Sequence, residues 1–320
     1  MGDAYMDTVT SILKRGQFAN SYKFALLRSL AAFGAEQGSG YETVEHEWLA
    51  GKFIEFYWPL TVRFKIRQAT VPNKDPVVMR YIRNEKTTLG LSPETSLPKY
   101  QNKYQDRHAQ LVPKVVRKAF ADVIPRFHTV GKKEVKPALY EPVGEGILID
   151  ADARQFLNAN HKALDLLAIG SWVKFTEKFS SAPRLYEKIQ GLKFKRSALK
   201  PYKEFFQTVL GETNCFYCGR EAQAQSHVDH VIPWSFVAED KVWNLVLSCE
   251  KCNGEKSSQT PEDPFVEKLI RRNEALLAMD DSKFPPSVIR DLTEWRPGGL
   301  QKNVEILVVR CRADGFGTWS

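Results

Sequence analysis

The amino-acid sequence predicts an α+β fold in three parts: a mainly helical, basic domain over residues 1–204, a small strand–loop–strand–helix module over 205–262, and a short helix-and-strand extension over 263–320. Three observations carry that reading. Apolar side chains in the N-terminal part recur chiefly every three or four residues, the spacing of a helix face. Two short β-branched runs, residues 226–232 (S-H-V-D-H-V-I) and 244–248 (N-L-V-L-S), stand close together, with a helix-compatible segment directly after the second. Four of the five cysteines form two Cys-x-x-Cys pairs that bracket those runs and tie them into one module.

Residues 1–18 suggest a lead-in or a short helix. Asn20 and Ser21 then supply N-cap chemistry, and Tyr22, Leu26, Leu30 and Phe33 follow at helical spacing with Leu27 beside them. Gly34, Gly38 and Gly40 end that helix. A second helix is predicted over 42–60, where Val44, Trp48, Phe53, Phe56 and Tyr57 make an aromatic core-facing stripe up to Pro59. Residues 62–66 alternate like a strand or a helix end, and 67–100, rich in Pro, Asn and Lys, read as an irregular basic connection. Helical spacing resumes over 110–127 through Leu111, Val115, Phe120 and Ile124, between His108 and His128, both expected at the surface. Residues 143–150 suggest a strand pair around a turn. Helices over 152–161 and 162–179 are predicted with an interruption at 158–160, and Pro183 opens a last short helix through Tyr186 and Ile189. Beyond the module come a polar exit loop at 257–264, a helix at 265–279, a strand at 305–310 (E-I-L-V-V-R) and a tail or edge contact at 315–320.

A chain of 320 residues, 43% hydrophobic and 26% charged, has the composition of a soluble globular protein with room for two domains. No run of eighteen apolar residues is present, so no membrane span is expected, and the first residues lack a basic-then-apolar signal. Thiols reserved for metal, with Cys311 left over, suit a reducing cytoplasm. The net charge is +8, yet acidic residues outnumber basic ones over 211–260. The positive excess lies upstream, in residues 61–83, in 99–136, and in a cluster of Lys193, Lys195, Arg196, Lys200 and Lys203. A solvated basic face is the bland explanation; a polyanionic partner becomes the better one if the module acts on phosphate.

Cys215 and Cys218, and Cys249 and Cys252, each place two thiolates three residues apart on a turn, able to approach one metal from the same side. Two such turns complete the four-sulfur tetrahedral set that zinc prefers. A redox Cys-x-x-Cys would instead be a single pair opening a helix. Four thiolates leave no open coordination position, so this zinc is expected to hold the fold and to do no chemistry.

Between the pairs stand D-H-V-I-P, N-L-V and C-x-x-C-N-x-x-K. These residues resemble the HNH endonuclease family, in its version stapled by two cysteine pairs around a ββα-metal core. The third signature position is Asn253 here, not histidine. The resemblance implies that His230 is a general base taking a proton from water as it attacks phosphorus. It implies that Asp229 and Asn253 hold a catalytic Mg²⁺ or Mn²⁺, and that Asn244 fixes the loop that orients His230. Hydrolysis of nucleic-acid phosphodiesters, double-stranded DNA ahead of RNA, leaving a 5′-phosphate and a 3′-hydroxyl, is the implied activity; restriction or phage defence in a prokaryote is the implied setting. His227 shares the strand face of Asp229 and reads as a strand residue; Lys256 would face a phosphate or solvent; Trp234 and Trp243 read as packing. The N-terminal domain would supply targeting, to nucleic acid or to a protein partner. Two rivals stay open: a non-catalytic zinc-bearing nucleic-acid binder, and a subunit that cuts only inside a larger complex.

Overall fold

The computed structural model describes residues 2–36, 38, 40, 42–71, 74–192, 194, 196–222, 226–293 and 300–320. The chain divides into two units, residues 1–179 with 185–192, and residues 180–184 with 193–320.

In the first unit, α1 (Gly2–Arg15) buries Tyr5, Val9 and Ile12 on one face. α2 (Tyr22–Gly34) is buried along nearly its whole length. Asn20 accepts the Tyr22 N–H at 3.0 Å, while the Ser21 hydroxyl is drawn instead to the Tyr57 hydroxyl at 2.6 Å. Residues 42–60 are not one helix: β1 (Glu42–Glu45) pairs antiparallel with a later strand before α3 (His46–Val62) begins. Only Val44 of the strand is fully buried; Thr43 and Glu45 are exposed and Glu42 is half-buried against Arg154 at 2.6 Å, so the polar residues mimic a helix start.

The stretch expected to be irregular holds α4 (Val77–Leu89) and α5 (Leu97–Lys103). Few apolar anchors were needed: α4 buries Val78, Met79, Ile82 and Glu85, the last held by Arg107 at 2.6 Å and the Tyr100 hydroxyl at 3.0 Å. α6 (Gln105–Arg126) follows, then the short pair β2 (Thr129–Val130) and β3 (Lys133–Glu134). His128 is not a surface residue: it is 6% exposed, and its Nε2 accepts the Leu139 N–H at 2.9 Å. His108 is half-buried beside Gln101.

β4 (Glu141–Val143) and β5 (Gly146–Ile149) form the expected strand pair and complete a three-stranded sheet in the order β1-β5-β4. α7 (Ala151–Thr176) then runs without the expected break. The amides that suggested one find carbonyl partners instead, Asn158 on Gly38 far along the chain and Asn160 on Phe156 one turn back. α2 crosses α7 at Gly34, where a Cβ would sit 2.5 Å from the Leu157 carbonyl oxygen, so only glycine permits that approach. α8 (Leu185–Gln190) closes the unit; Arg28 on α2 donates to the Ile189 carbonyl and pairs with Asp165 on α7, both at 2.9 Å.

In the second unit, α9 (Lys200–Glu204) runs into a wide turn at Phe205–Val209. Lys193 and Lys195 of the third basic cluster lie outside the described residues. β6 (His227–His230) pairs antiparallel with β7 (Leu245–Ser248), Asp229 opposite Val246 and His230 opposite Leu245. Their connection contains α10 (Trp234–Val237) and a tight turn at Val242–Asn244. α11 (Glu250–Lys256) follows β7 directly. The exit loop carries a strand, β8 (Thr260–Pro261), and then come α12 (Asp263–Ala278) and α13 (Pro286–Thr293). The predicted strand at 305–310 is helix instead, α14 (Leu300–Ala313), whose Val304, Val308 and Cys311 are buried at helical spacing. β9 (Thr318–Trp319) pairs parallel with β8, so the tail makes an edge contact. Cys215, Val231, Val246, Leu269, Val304 and Val308 belong to one apolar core, which the cysteine-bracketed segment thus shares with the C-terminal helices. Among the described residues no helix is long and apolar enough to cross a membrane.

Candidate active site and metal centre

The cysteine pairs sit on two turns brought together by β7. Gly219, with φ of 71°, lets the first turn close through its N–H onto the Cys215 carbonyl at 2.9 Å. The Phe216 N–H bonds the Leu247 carbonyl of β7 at 2.8 Å, fixing that turn beside the strand. Cys249 is the N-cap of α11, its sulfur facing the Cys252 N–H at 3.5 Å. All four sulfur atoms lie within 4.8 Å of one another, and Cys218 and Cys249 are 3.9 Å apart. Sulfurs around a tetrahedral zinc stand about 3.8 Å apart, given Zn–S bonds of about 2.3 Å, so this cluster can hold a metal of that kind. The Arg220 backbone N–H at the sulfur lowers the Cys218 thiol to about 7, while burial raises Cys215 and Cys252.

Strand pleating sends the neighbouring side chains of β6 to opposite faces. Asp229 turns toward α11 and the first cysteine turn: its Oδ2 accepts from the Tyr217 hydroxyl at 2.6 Å and lies 3.0 Å from the Lys256 ammonium. Burial, with Asp229 beside it, holds the Tyr217 hydroxyl protonated far above its usual range. Lys256 faces neither phosphate nor solvent. It is fully buried and also donates to the His230 carbonyl at 2.7 Å, so one ammonium ties the end of α11 to both residues of the D-H pair. Oδ1 of Asp229 has no hydrogen-bond partner among the described residues, which leaves one carboxylate oxygen for a cation.

On the other face, His230 Nε2 meets Asp240 Oδ1 at 2.8 Å. Asp240 is itself held: its Oδ2 accepts the Ser197 N–H at 2.6 Å, and its carbonyl lies 3.0 Å from the Tyr202 hydroxyl, which also donates to Asp291. Burial alone would raise the Asp240 carboxyl, but the His230 hydrogen bond, the Ser197 N–H and the nearby charges of His230 and Arg196 outweigh it and lower its pKa. The turn that returns Asp240 to β6 passes through Ala238 in the left-handed region, φ 59°, a conformation that costs a non-glycine residue about 1 kcal/mol.

Asn244 is fully buried and clamps the loop after His230 at three points. Its Oδ1 accepts the Ile232 N–H at 2.8 Å, its Nδ2 donates to the Ile232 carbonyl at 2.9 Å, and its own carbonyl accepts the Val231 N–H at 2.9 Å. Asn253 is half-buried on α11, one turn before Lys256 and on the same helix face. Its carboxamide bonds no described residue, and no hydrogen bond joins it to Asp229 or His230. His227 is exposed, and Trp234 and Trp243 are buried.

Residues 215–262 match the family model described as HNH endonuclease. The segment is an HNH endonuclease domain. No curated protein and no solved structure matches the chain. The sequence pattern of the HNH domain pointed to Asp229, His230, Asn244 and Asn253. It did not point to Tyr217 or Asp240, nor to the buried role of Lys256. Tyr217 stands inside C-F-Y-C, where the cysteines carry the signal, and Asp240 is a lone carboxylate in a loop, ten residues from its partner.

Proposed function

We propose that the chain is a metal-dependent endonuclease that hydrolyses DNA phosphodiester bonds, with His230 as general base. The observation that carries this is the His230–Asp240 pair. With Nε2–H donating to an ionised carboxylate, the ring is held in the tautomer whose Nδ1 is an unprotonated acceptor, the form that can take a proton from water. Asn244 holds the backbone just after His230 and so fixes the ring's origin.

The residues present suit a hard divalent ion. Among the described residues Asp229 keeps one oxygen unbonded and the Asn253 carboxamide has no partner, and both are the oxygen donors that Mg²⁺ or Mn²⁺ takes. When bound, such an ion would polarise the phosphate and stabilise the departing 3′ oxygen. Lys256 and Tyr217 orient the Asp229 carboxylate toward that task. The four cysteines suit structural zinc, which needs thiolates kept free of oxidation and so favours a reducing compartment such as the cytoplasm. The basic helical part, residues 1–204, would bring the domain to its target, directly on nucleic acid or through a protein partner. Restriction of foreign DNA is the role that fits such an enzyme.

The test is cleavage of supercoiled and linear duplex DNA by zinc-loaded protein in Mg²⁺ or Mn²⁺, with chemical mapping of the ends. Cuts bearing 5′-phosphate and 3′-hydroxyl are expected, together with lower phage plating on cells expressing the protein. Intact DNA under every divalent ion, with tight DNA binding retained, would make this a zinc-bearing binder instead. Cleavage that appears only on adding a cell lysate would make it a subunit of a larger complex.

A further inference from the structure

The first unit carries a groove outside the HNH domain that the proposed cleavage chemistry does not use. This groove, of about 420 Å³, opens along α1, the turn after it, and the C-terminal half of α7. Its floor is aromatic. Phe18 stacks on Phe24 with centroids 4.6 Å apart, and Phe24 lies 5.5 Å from Phe175. Phe24 and Phe175 are buried, whereas Phe18 keeps part of its ring open to the groove. Three exposed lysines, Lys14, Lys174 and Lys178, rim that floor, and no carboxylate lines it. None of the three makes an ion pair with a described residue, whereas Arg28, Arg107 and Arg154 of the same unit each do. Ser171 and Thr10 add hydroxyls to the wall.

Three unpaired ammonium groups around an aromatic floor are complementary to an anion that also carries a flat apolar body. A nucleotide within a strand is such a ligand: the phosphates meet lysine and the base meets a ring. Duplex DNA would touch the lysines alone and leave the rings unused, because its bases are stacked and paired. We propose that this groove binds single-stranded nucleic acid, seating a base against Phe18 with the flanking phosphates on Lys14, Lys174 and Lys178. The proposal rests on the reading of the chain as a nuclease, since that reading makes a polynucleotide the available polyanion. It gives the basic N-terminal part a specific ligand: an unpaired stretch of the target, such as a displaced strand or a flap.

The experiment uses the full chain carrying His230→Ala, in Mg²⁺, so that binding is read without cutting. Fluorescence anisotropy follows a labelled single-stranded DNA oligomer and its duplex across a salt series. Replacing Lys14, Lys174 and Lys178 together by alanine should weaken single-strand binding about tenfold or more at moderate salt. It should also reduce the slope of log affinity against log salt by about 2, the value for three lost phosphate contacts on single strands. Phe18→Ala should weaken single-strand binding with the salt slope unchanged. Unchanged affinity and slope in the triple variant, with its helix content intact, would overturn the proposal, as would equal losses on single strand and duplex. Failure of the otherwise wild-type chain to cut DNA would count against the nuclease reading and leave this binding result to stand by itself.

Discussion

The interior of the helical unit and the neighbourhood of β6 are filled differently. The helical unit is filled with rings: Phe24, Phe53, Tyr57, Tyr100, Phe127 and Trp172 are all below 2% exposed. The HNH domain is small, yet Asp229, His230, Asp240, Asn244 and Lys256 are each under a tenth exposed. Burying an ionised group costs several kcal/mol even after relaxation, and apolar side chains of similar size would hold the same space at least as well. The helical unit also buries Arg28, Glu85, Arg154 and Lys188, but spreads them over separate helices, whereas in the HNH domain five polar or charged side chains crowd around one strand. One unit is dominated by ring packing, while buried polar groups are concentrated around β6, the arrangement that the proposed proton acceptor, cation ligand and metal clamp would require.

The largest effect should come from removing that clamp. Cys252→Ser, or a strong chelator, should unfold the unit containing β6 and leave the helical unit's melting transition in place. Calorimetry would then show one transition lost and one kept; loss of both, or of neither, breaks the contrast. Next comes Lys256→Met. It strands a buried carboxylate on a single tyrosine hydroxyl, and should cost about 3–5 kcal/mol of stability in denaturant titration along with any cutting. Asp240→Asn should leave the fold in place but free the ring of His230. It should lower kcat by about 10²-fold or more with KM little changed, because only proton transfer depends on that tautomer.

The smallest effect belongs to the helical unit and to its one fully enclosed histidine. Burial, with the Lys23 charge near it, lowers His128 to about 4. The unfolded chain binds this proton near pH 6.5 and the folded chain does not, so stability from this group is fully present above 6.5. It falls by up to about 3 kcal/mol as pH drops toward 4. His128→Gln should flatten that slope; an unchanged slope would show that the ring is not held neutral by its surroundings.

What was legible in the sequence follows the same divide. The HNH segment and its four-cysteine cluster could be read from the sequence, because two thiol pairs around D-H and N-L-V have few other reasons to stand at those spacings, although the burial of Lys256 could not. Tyr217 and Asp240 could not, since their meaning comes from a knuckle and a left-handed turn that only the folded chain displays. In the helical unit, α4 and α5 were hidden by polar exposed faces with few buried anchors; in the second unit, α14 was hidden by a Val309-containing β-branched run that sits on a helix. The position of His128 depends on Phe127 and Tyr140 closing around it, with ring centroids at 5.1 and 4.6 Å, and no local pattern announces that.

The most direct measurement is plasmid nicking by wild-type protein and His230→Ala, prepared at equal zinc content and compared in Mg²⁺ or Mn²⁺. Nicking by the wild type and a loss of at least about 10²-fold in the variant are expected, with DNA binding and melting temperature preserved. Equal nicking by the two proteins would contradict the role of His230 as general base.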